Sequence, residues 1–526
     1  MTKVNLSNKD LEKAPPPKFS FSQDEFLANL QKLVPLMNAT RIEIDNFLAL
    51  NQEVQEHISI PNMNDMKREF DKICSVPHRR VGTKEAHQIE DYIENMFNKF
   101  GLVKVTKEPM ELTNWVANKW NLTLKVNKNI LNIPSFYVLN TGFTPASGVT
   151  APLIYLGNGS EKDYDGKDIK GKIVVIDIAM PLMPIGLLKK QGLSYYFSDP
   201  INAISADKTL RLVFNMTNFH DQPHGTPIKK DTLYWRAYEG GALGLILILR
   251  DFPANLNTQW GPYDGVMKPI PALYVSKDEG KTLHKLMQSG PVEATIILEG
   301  DKEPTIAHNI MGILPGTSDE TLMISTHHDS PFKGASEDGT GLTILLSQLR
   351  TWSKVPIEKR KRTLLFVATA GHHYAGIGAV TFAKTHKLDV LKDVLVNLNL
   401  EHLCAKEVEE DPETHNFRFT GQLALGAIFV SRSQSLINYT VKALVDNKIE
   451  NLVVIPDNYF GTLPIGEAGH FAYYCGFNVI HWIRLPYYLL TAEDTVDKID
   501  FTKFPSTVQC ITDLVNSLMK IKKEDM

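Results

Sequence analysis

From Glu303 to the C-terminus, short apolar runs alternate with stretches of helical spacing. The runs NIMGILPG, TLMIST, LLFVATA, DVLVNLNL and FNVIHWI have the length of strands. Continuous apolar runs are typical of strands that are buried on both faces of a parallel sheet. The alternation of strand and helix therefore predicts an α/β fold with a doubly wound, mostly parallel sheet.

The pattern differs in the first 300 residues. DEFLANLQKLVPLM, IDNFLALNQEVQEHI and NMNDMKREFDKI have helical spacing, and HRRVGTKEAHQIEDYIENMFNKFGL predicts a helix that ends at Gly101. NLTLKV, APLIYLG, GKIVVIDI and GALGLILIL are short β-rich runs between turn residues. We predict four parts: a flexible tail over 1–20, an N-terminal helical segment over 21–64, an α/β domain built from 65–114 and 304–522, and a β-rich inserted domain over 115–303.

Composition narrows the function classes. A chain of 526 residues exceeds the size at which one core stops growing, about 250 to 300 residues, so we expect two or more domains. Its net charge of -4 gives no general attraction to nucleic acid or to an anionic membrane. The N-terminus lacks a signal-peptide pattern, and no stretch has the length of an apolar membrane span, so we expect a soluble, cytoplasmic protein.

Residues that bind metals follow three of the predicted strands. The segments are HHDSPFKGASEDGTG after the second strand, GHHYAGIGA after the third and EHLCAK after the fourth. Because ligands bind beyond the carboxyl ends of parallel strands, these segments are expected to meet at one site. The four cysteines are widely spaced and form no C-x-x-C, so the ligands should be nitrogen and oxygen atoms.

In this order the motifs carry a family signature. The chain resembles the M28 metallopeptidases, in the branch with a protease-associated insert that includes glutamate carboxypeptidase II and the transferrin receptor. The resemblance covers about residues 65 to 520 and rests on PHRRVGTKEAHQIEDYIENMFNKFGL, APLIYLGNGSEKDYDGKDIKGKIVVID, HNIMGILPG, HHDS, GASEDGTG and TAEDTVDKID. It implies a zinc-peptidase-like domain, a protease-associated insert over 115–303 and a two-zinc site.

Four residues match the family site directly or with one methylene added. His327 matches the first metal ligand, and Asp329 matches the carboxylate that orients it. Glu337 stands at the bridging position and Glu401 at the later ligand position, where the family has Asp in both cases. The resemblance thus implies a surviving set of one histidine and two longer carboxylates.

Three other residues depart from the family pattern. His372 and His373 stand where the family has Glu-Glu, so His372 takes the general-base position and His373 the ligand position. Leu490 replaces the final histidine, and leucine cannot bind a metal. We therefore predict one divalent ion rather than two, held by some of His327, Glu337, His373 and Glu401. Zinc is the expected ion, with iron or manganese as alternatives that suit mixed nitrogen and oxygen ligands.

Several other features leave alternatives open. His402, His470 and His481 each lie close to a predicted strand end, and one of them could replace the missing ligand. Glu467 could support the site or be a surface carboxylate. HDQPHGTP, at 220–227, is expected to be a surface loop rather than a metal-binding tract. The long aromatic stretch at 178–234 could form a lid or an extra packed hairpin.

The sequence supports a metal-dependent hydrolase of the M28 type that acts on a peptide-like or small amide substrate. His372 and Asp329 are the predicted catalytic residues, with His372 transferring protons near neutral pH. One alternative is a metal enzyme with redirected chemistry, such as a lyase or an iron-dependent enzyme. Another is a non-catalytic protein that uses the scaffold for binding. We expect no nucleic-acid or membrane partner, and a homodimer by analogy alone.

Overall fold

The computed structural model describes residues 32–52, 57–180, 182–211, 233–262, 264–459 and 464–526. The α-helices in these ranges are α1 (Val34–Leu50), α2 (Met63–Ile73), α3 (Lys84–Lys99), α4 (Glu161–Tyr164), α5 (Ile185–Gln191), α6 (Leu233–Glu239), α7 (Lys277–Ser289), α8 (Gly341–Trp352), α9 (Ile377–His386), α10 (Gln434–Asp446), α11 (Glu467–Cys475) and α12 (Phe504–Leu518). Among these described helices, none is both long and apolar enough to cross a membrane.

The strands alternate with these helices along the chain. They are β1 (Val103–Val126), β2 (Asn129–Ile133), β3 (Phe136–Tyr137), β4 (Val149–Tyr155), β5 (Ile173–Ile178), β6 (Leu182–Met183), β7 (Tyr196–Ser198), β8 (Leu210–Arg211), β9 (Gly244–Leu249), β10 (Ala272–Ser276), β11 (Glu293–Leu314), β12 (Thr321–His327), β13 (Thr363–Thr369), β14 (Val394–Glu401), β15 (Lys406–Glu410), β16 (Phe417–Leu423), β17 (Gly426–Val430), β18 (Leu452–Pro456) and β19 (Asn478–Arg484).

The C-terminal half is organised around a central sheet. Its strands follow the order β11, β13, β12, β14, β19, β17, β18 and β7. β13, β12, β14 and β19 are parallel neighbours, and nearly every residue in them is buried. Strands that are buried on both faces in this way are typical of a parallel sheet covered by helices. The predicted α/β fold with a mostly parallel sheet is confirmed.

Residues between β1 and β11 form a second group of strands with its own hydrophobic core. β4, β5, β9 and β10 are parallel neighbours, and β3 pairs antiparallel with β10 at the edge. The long antiparallel ribbon of β1 and β11 joins this group to the central sheet. The arrangement agrees with a β-rich insert, while the limits 115–303 and the protease-associated type stay predictions.

The N-terminal helices pack against the α/β body, and their ends follow local sequence signals. Asn62 caps α2 by accepting the N–H of Asp65 at 2.9 Å, and Thr83 caps α3 by accepting the N–H of Ala86 at 3.2 Å. Gly101, just after α3, adopts a left-handed conformation with φ 75°. These caps confirm the predicted helices at 63–73 and 84–99.

In the stretch at 178–234, for which a lid and a packed hairpin were the alternatives, β6 and β8 pair antiparallel and β7 extends the central sheet. β7 pairs antiparallel with β18, with Phe197 opposite Val453. The main-chain N–H of Tyr195 also donates to Val454 O at 2.9 Å. The predicted tail at 1–20, most of the helix expected in DEFLANLQKLVPLM and the tract at 220–227 lie outside the described residues.

Candidate metal centre

The candidate site lies at the carboxyl ends of the parallel strands. His327 ends β12 and is paired in register with Thr369, the last residue of β13. Glu401 ends β14, which is the other neighbour of β12. The three strand ends therefore share one edge of the sheet, as the sequence pattern predicted.

His327 is fully buried and is oriented by the main chain. Its Nδ1 lies 3.0 Å from the carbonyl oxygen of Asp329, so Nδ1–H is the donor and Nε2 keeps its lone pair. Nε2 lies 3.4 Å from Glu337 Oε1. Burial, followed by the nearby positive charge of His372, lowers the pKa of His327 to about 3, which keeps the ring neutral.

Glu337 stands in an irregular helical turn, Ala335–Thr340, that leads into α8. The peptide bond between Glu337 and Asp338 is cis. Glu337 Oε1 lies 3.1 Å from His373 Nε2, and Glu337 Oε2 lies 2.6 Å from His402 Nε2. Burial alone would raise the pKa of Glu337, but the surrounding imidazoles hold it well below its usual range.

Two residues far away in sequence shape this turn. Asp494 accepts the main-chain N–H of Ser336 at 2.8 Å and that of Glu337 at 2.9 Å. The wholly buried guanidinium of Arg79 donates to main-chain carbonyls along the same loop, which are those of His328, Lys333, Gly334 and Glu337. Arg79 belongs to the motif HRRVG and Asp494 to the motif TAEDT, but the sequence predicted no role for either residue.

Asp329 organises the two residues that replace the family's Glu-Glu pair. Its Oδ1 accepts the N–H of His372 at 3.1 Å, and its Oδ2 lies 2.9 Å from His373 Nδ1. The same carboxylate lies 3.7 Å from His327 Nδ1, farther than the main-chain carbonyl. Burial opposes ionisation, yet the His373 ring keeps the pKa of Asp329 below its usual range.

His372 contacts both the site and a buried carboxylate behind it. Its ring is stacked on that of His327, with centroids 4.1 Å apart and an angle of 8° between the planes. His372 Nδ1 lies 3.7 Å from Glu467 Oε1, and Glu467 also accepts a hydrogen bond from Thr369 Oγ1 at 2.6 Å. Burial would lower the pKa of His372, but Glu467 and then Glu401 hold it well above its usual range.

Glu401 completes the cluster from the end of β14. It lies 3.4 Å from His481 Nε2 and accepts the main-chain N–H of Glu467 at 3.3 Å. Burial would raise the pKa of Glu401, but the histidines His481, His372 and His402 keep it below its usual range. The carboxylate is therefore ionised inside the protein.

The donor atoms in this cluster fit a divalent cation. Ligand atoms of His327, Glu401 and His402 lie within 4.8 Å of one another, and so do those of His327, Glu337 and His372. Among the described residues, His327 Nε2 and Glu337 Oε2 are buried and make no hydrogen bond. Buried polar atoms of this kind normally have a partner, and a shared cation would supply one. Neither group includes His373, so the predicted ligand set stays a prediction.

Leu490 does not face a polar environment. It is buried in the hydrophobic core of the inserted strands, and its carbonyl accepts the Trp260 N–H at 2.8 Å. The ring of His470 lies against Gly376, where a Cβ would be 2.2 Å from Nε2, and His470 belongs to neither group of converging donors.

A second histidine–carboxylate group lies elsewhere, at the start of α3. Glu90 Oε2 is 2.7 Å from Nδ1 of both His87 and His308. The ammonium of Lys107 lies 3.6 Å from the same oxygen. Because a cation already neutralises Glu90, this group needs no metal to be stable.

Part of the chain is similar to proteins of known family. The model of peptidase family M28 matches residues 309–444. Carboxypeptidase Q from Xenopus laevis is 22% identical over 391 residues, which are 71% of each chain. Aminopeptidase YwaD from Bacillus subtilis is 25% identical over 263 residues, 49% of this chain and 45% of its own length.

Two solved structures share the fold over most of the chain. A zinc aminopeptidase from Bacillus subtilis, BSAP, has a TM-score of 0.63 at 16% identity and covers 89% of this chain and 98% of its own. A peptidase M28 precursor from Shewanella amazonensis also has a TM-score of 0.63 at 16% identity, with coverage of 92% and 98%. The resemblance found in the sequence is confirmed for the M28 domain and the overall fold.

Proposed function

We propose that this chain, which carries a peptidase family M28 domain, is a metal-dependent hydrolase that cleaves a peptide-like or small amide bond with a single divalent ion. The observation that carries the proposal is the convergence of three side chains: His327 at the end of β12, Glu401 at the end of β14, and Glu337 in the turn that leads into α8. Their donor atoms are buried, and both carboxylates are kept ionised. Buried ionised carboxylates need positive charge close by, which the histidines supply in the metal-free chain and a bound cation would supply in their place.

The bound ion would be held by the neutral Nε2 of His327 and by the carboxylates of Glu337 and Glu401. When bound, it supplies Lewis-acid polarisation of the substrate carbonyl and activation of water. Zinc is the proposed ion, because BSAP is a zinc aminopeptidase. Mixed nitrogen and oxygen donors also suit iron and manganese.

His372 is proposed to carry the proton between water and the leaving amine. Its ring stacks on that of His327, and its Nδ1 lies 3.7 Å from Glu467 Oε1. Glu467 in turn accepts a hydrogen bond from Thr369. Without a cation, the surrounding carboxylates hold the pKa of His372 well above its usual range. Added positive charge at the neighbouring donors lowers this pKa, which would free the ring to accept a proton near neutral pH.

A single ion is proposed because Leu490 contributes no donor. The second family site would be left with Glu337 and His373, and His373 Nδ1 is already 2.9 Å from Asp329 Oδ2. Two protein donors are too few for a stable tetrahedral zinc site. The surviving ligands therefore form one centre.

A second candidate function is redirected metal chemistry, as in a lyase or an iron-dependent enzyme. It is favoured by one observation: His372 stands in the place of the glutamate that serves as the family's base. Under this reading the metal and its ligands are the same, but amide bonds are not cleaved.

The experiment is a substrate survey of metal-depleted protein reloaded separately with zinc, manganese and iron. Aminoacyl anilides, N-acyl amino acids and dipeptides cover the main amide classes. The proposal predicts cleavage of at least one class, and a loss of at least about 100-fold in kcat/KM in His327→Ala.

The matched control is His328→Asn, at the next position. His328 is also buried, but its Nε2 lies 2.9 Å from the carbonyl of His308, away from the cluster. Activity should survive in the control. Metal binding without cleavage of any amide would favour redirected chemistry, and absence of metal binding would leave only a non-catalytic role.

A further inference from the structure

We infer that His402 is a fourth ligand of the single metal ion, beside His327, Glu337 and Glu401. The inference rests on the proposed function, because it concerns the same ion. The M28 resemblance supplies no ligand at the position of His402. The inference therefore follows from the geometry of this chain.

The backbone at the end of β14 brings His402 to the cluster. Side chains of successive strand residues point to opposite faces, so a continued strand would separate His402 from Glu401. The strand ends at Glu401, and His402 adopts a left-handed conformation with φ 58°. Its N–H donates to Asp338 Oδ1 at 2.8 Å, which holds this uncommon conformation in place.

The ring of His402 is oriented in the manner of a metal ligand. Its Nδ1 lies 3.0 Å from the main-chain carbonyl of Arg484, so Nδ1–H is the donor and Nε2 is the nitrogen directed at the cluster. His327 has the same arrangement with the carbonyl of Asp329, also at 3.0 Å. A backbone carbonyl on the far nitrogen is a common way to fix the tautomer of a ligating histidine.

The Nε2 atom of His402 is directed into the cluster of donors. It lies 2.6 Å from Glu337 Oε2, and a ligand atom of His402 is within 4.8 Å of those of His327 and Glu401. Despite this approach, neither His402 Nε2 nor Glu337 Oε2 makes a hydrogen bond to any described residue. Two buried, converging donor atoms without hydrogen-bond geometry are what a shared cation would satisfy.

The other candidate histidines are less suited to the ion. His373 belongs to neither group of converging donors, and its Nε2 makes a hydrogen bond with Glu337 Oε1 at 3.1 Å, whereas His402 Nε2 makes none to a described residue. His481 contacts Glu401 at 3.4 Å but belongs to neither group of converging donors. The geometry therefore gives a set of His327, Glu337, Glu401 and His402, two histidines and two carboxylates.

The test compares zinc binding by the metal-depleted full-length protein and by His402→Ala, using zinc alone as the probe. Affinity is measured by competition with a chromophoric chelator, and zinc X-ray absorption counts the imidazole ligands. The wild-type protein should bind one ion with two imidazoles. His402→Ala should bind at least about 100-fold more weakly, because loss of a direct ligand exceeds the 10- to 100-fold effect of an outer partner.

His328→Asn is the matched control for loss of a buried imidazole, and it should bind zinc like the wild type. His402→Gln, which keeps most of the side-chain volume, gives a second reading if the alanine variant unfolds. Unchanged affinity and imidazole count in the His402 variants would overturn the inference while leaving the proposed function standing. A wild-type protein that binds no zinc would overturn both.

Discussion

The carboxylate of Asp494 accepts the main-chain N–H of Glu337 at 2.9 Å, although the two residues are 157 positions apart. A second acceptor bond, from the N–H of Ser336 at 2.8 Å, uses the other oxygen of the same carboxylate. Burial raises the pKa of Asp494 to about 6. The position of a proposed metal ligand is thus set by a residue that does not contact the ion.

Asp494→Ala should therefore weaken zinc binding. The variant leaves two buried N–H groups without their acceptor, at about 1 to 3 kcal/mol each, and releases the turn that carries Glu337. We expect a loss of about 10- to 100-fold in zinc affinity, measured by chelator competition, and a lower melting temperature. Asp497→Ala, in which an exposed carboxylate close by is removed, is the control. Equal zinc affinity in the two variants would contradict this role.

His372→Gln should separate proton transfer from metal binding. Loss of the imidazole removes the proposed proton carrier, so kcat should fall by at least about 100-fold. Zinc content, measured by mass spectrometry of the elements, should stay at the wild-type value. A parallel loss of zinc would instead identify His372 as a ligand. This outcome would agree with the position of its donor atom, which lies within 4.8 Å of those of His327 and Glu337.

Leu490→His should restore a second metal position. The family has a histidine there, and its imidazole together with Glu337 and His373 would give three protein donors, enough for a zinc site. We expect zinc content to rise from one ion per chain towards two. Leu489→His places an imidazole at the adjacent buried position and should leave the content at one. A content of one in both variants would show that more than this residue separates the chain from a two-zinc site.

The stability of the metal-free protein should depend on pH through His402. Burial would lower the pKa of His402, but the carboxylate of Glu337 raises it to about 9, above the unfolded value of roughly 6.5. The stabilisation is complete below about pH 6.5 and is lost as the pH rises through about 9. Melting temperatures of wild type and His402→Asn in chelator should therefore converge over this range. A constant difference would contradict the pairing of His402 with Glu337.

The sequence predicted the parts of the site that follow local patterns. Apolar runs that end in His327 and Glu401 placed both residues at one edge of a parallel sheet, and the structure agrees. Arg79 and Asp494 escaped prediction because their contacts join residues 157 or more positions apart, for which a single sequence holds no local signal. His402 could only be named as one of three candidates. Its approach depends on a φ of 58° at the strand end, which alternation of side chains does not reveal.

The most direct test of the account is a zinc titration of metal-depleted protein, with amide hydrolysis as the signal. The substrate is the best one from the survey of anilides, N-acyl amino acids and dipeptides. The account predicts that activity rises linearly and reaches its plateau at one equivalent of zinc per chain. A plateau at two equivalents, or hydrolysis that does not depend on metal, would contradict it.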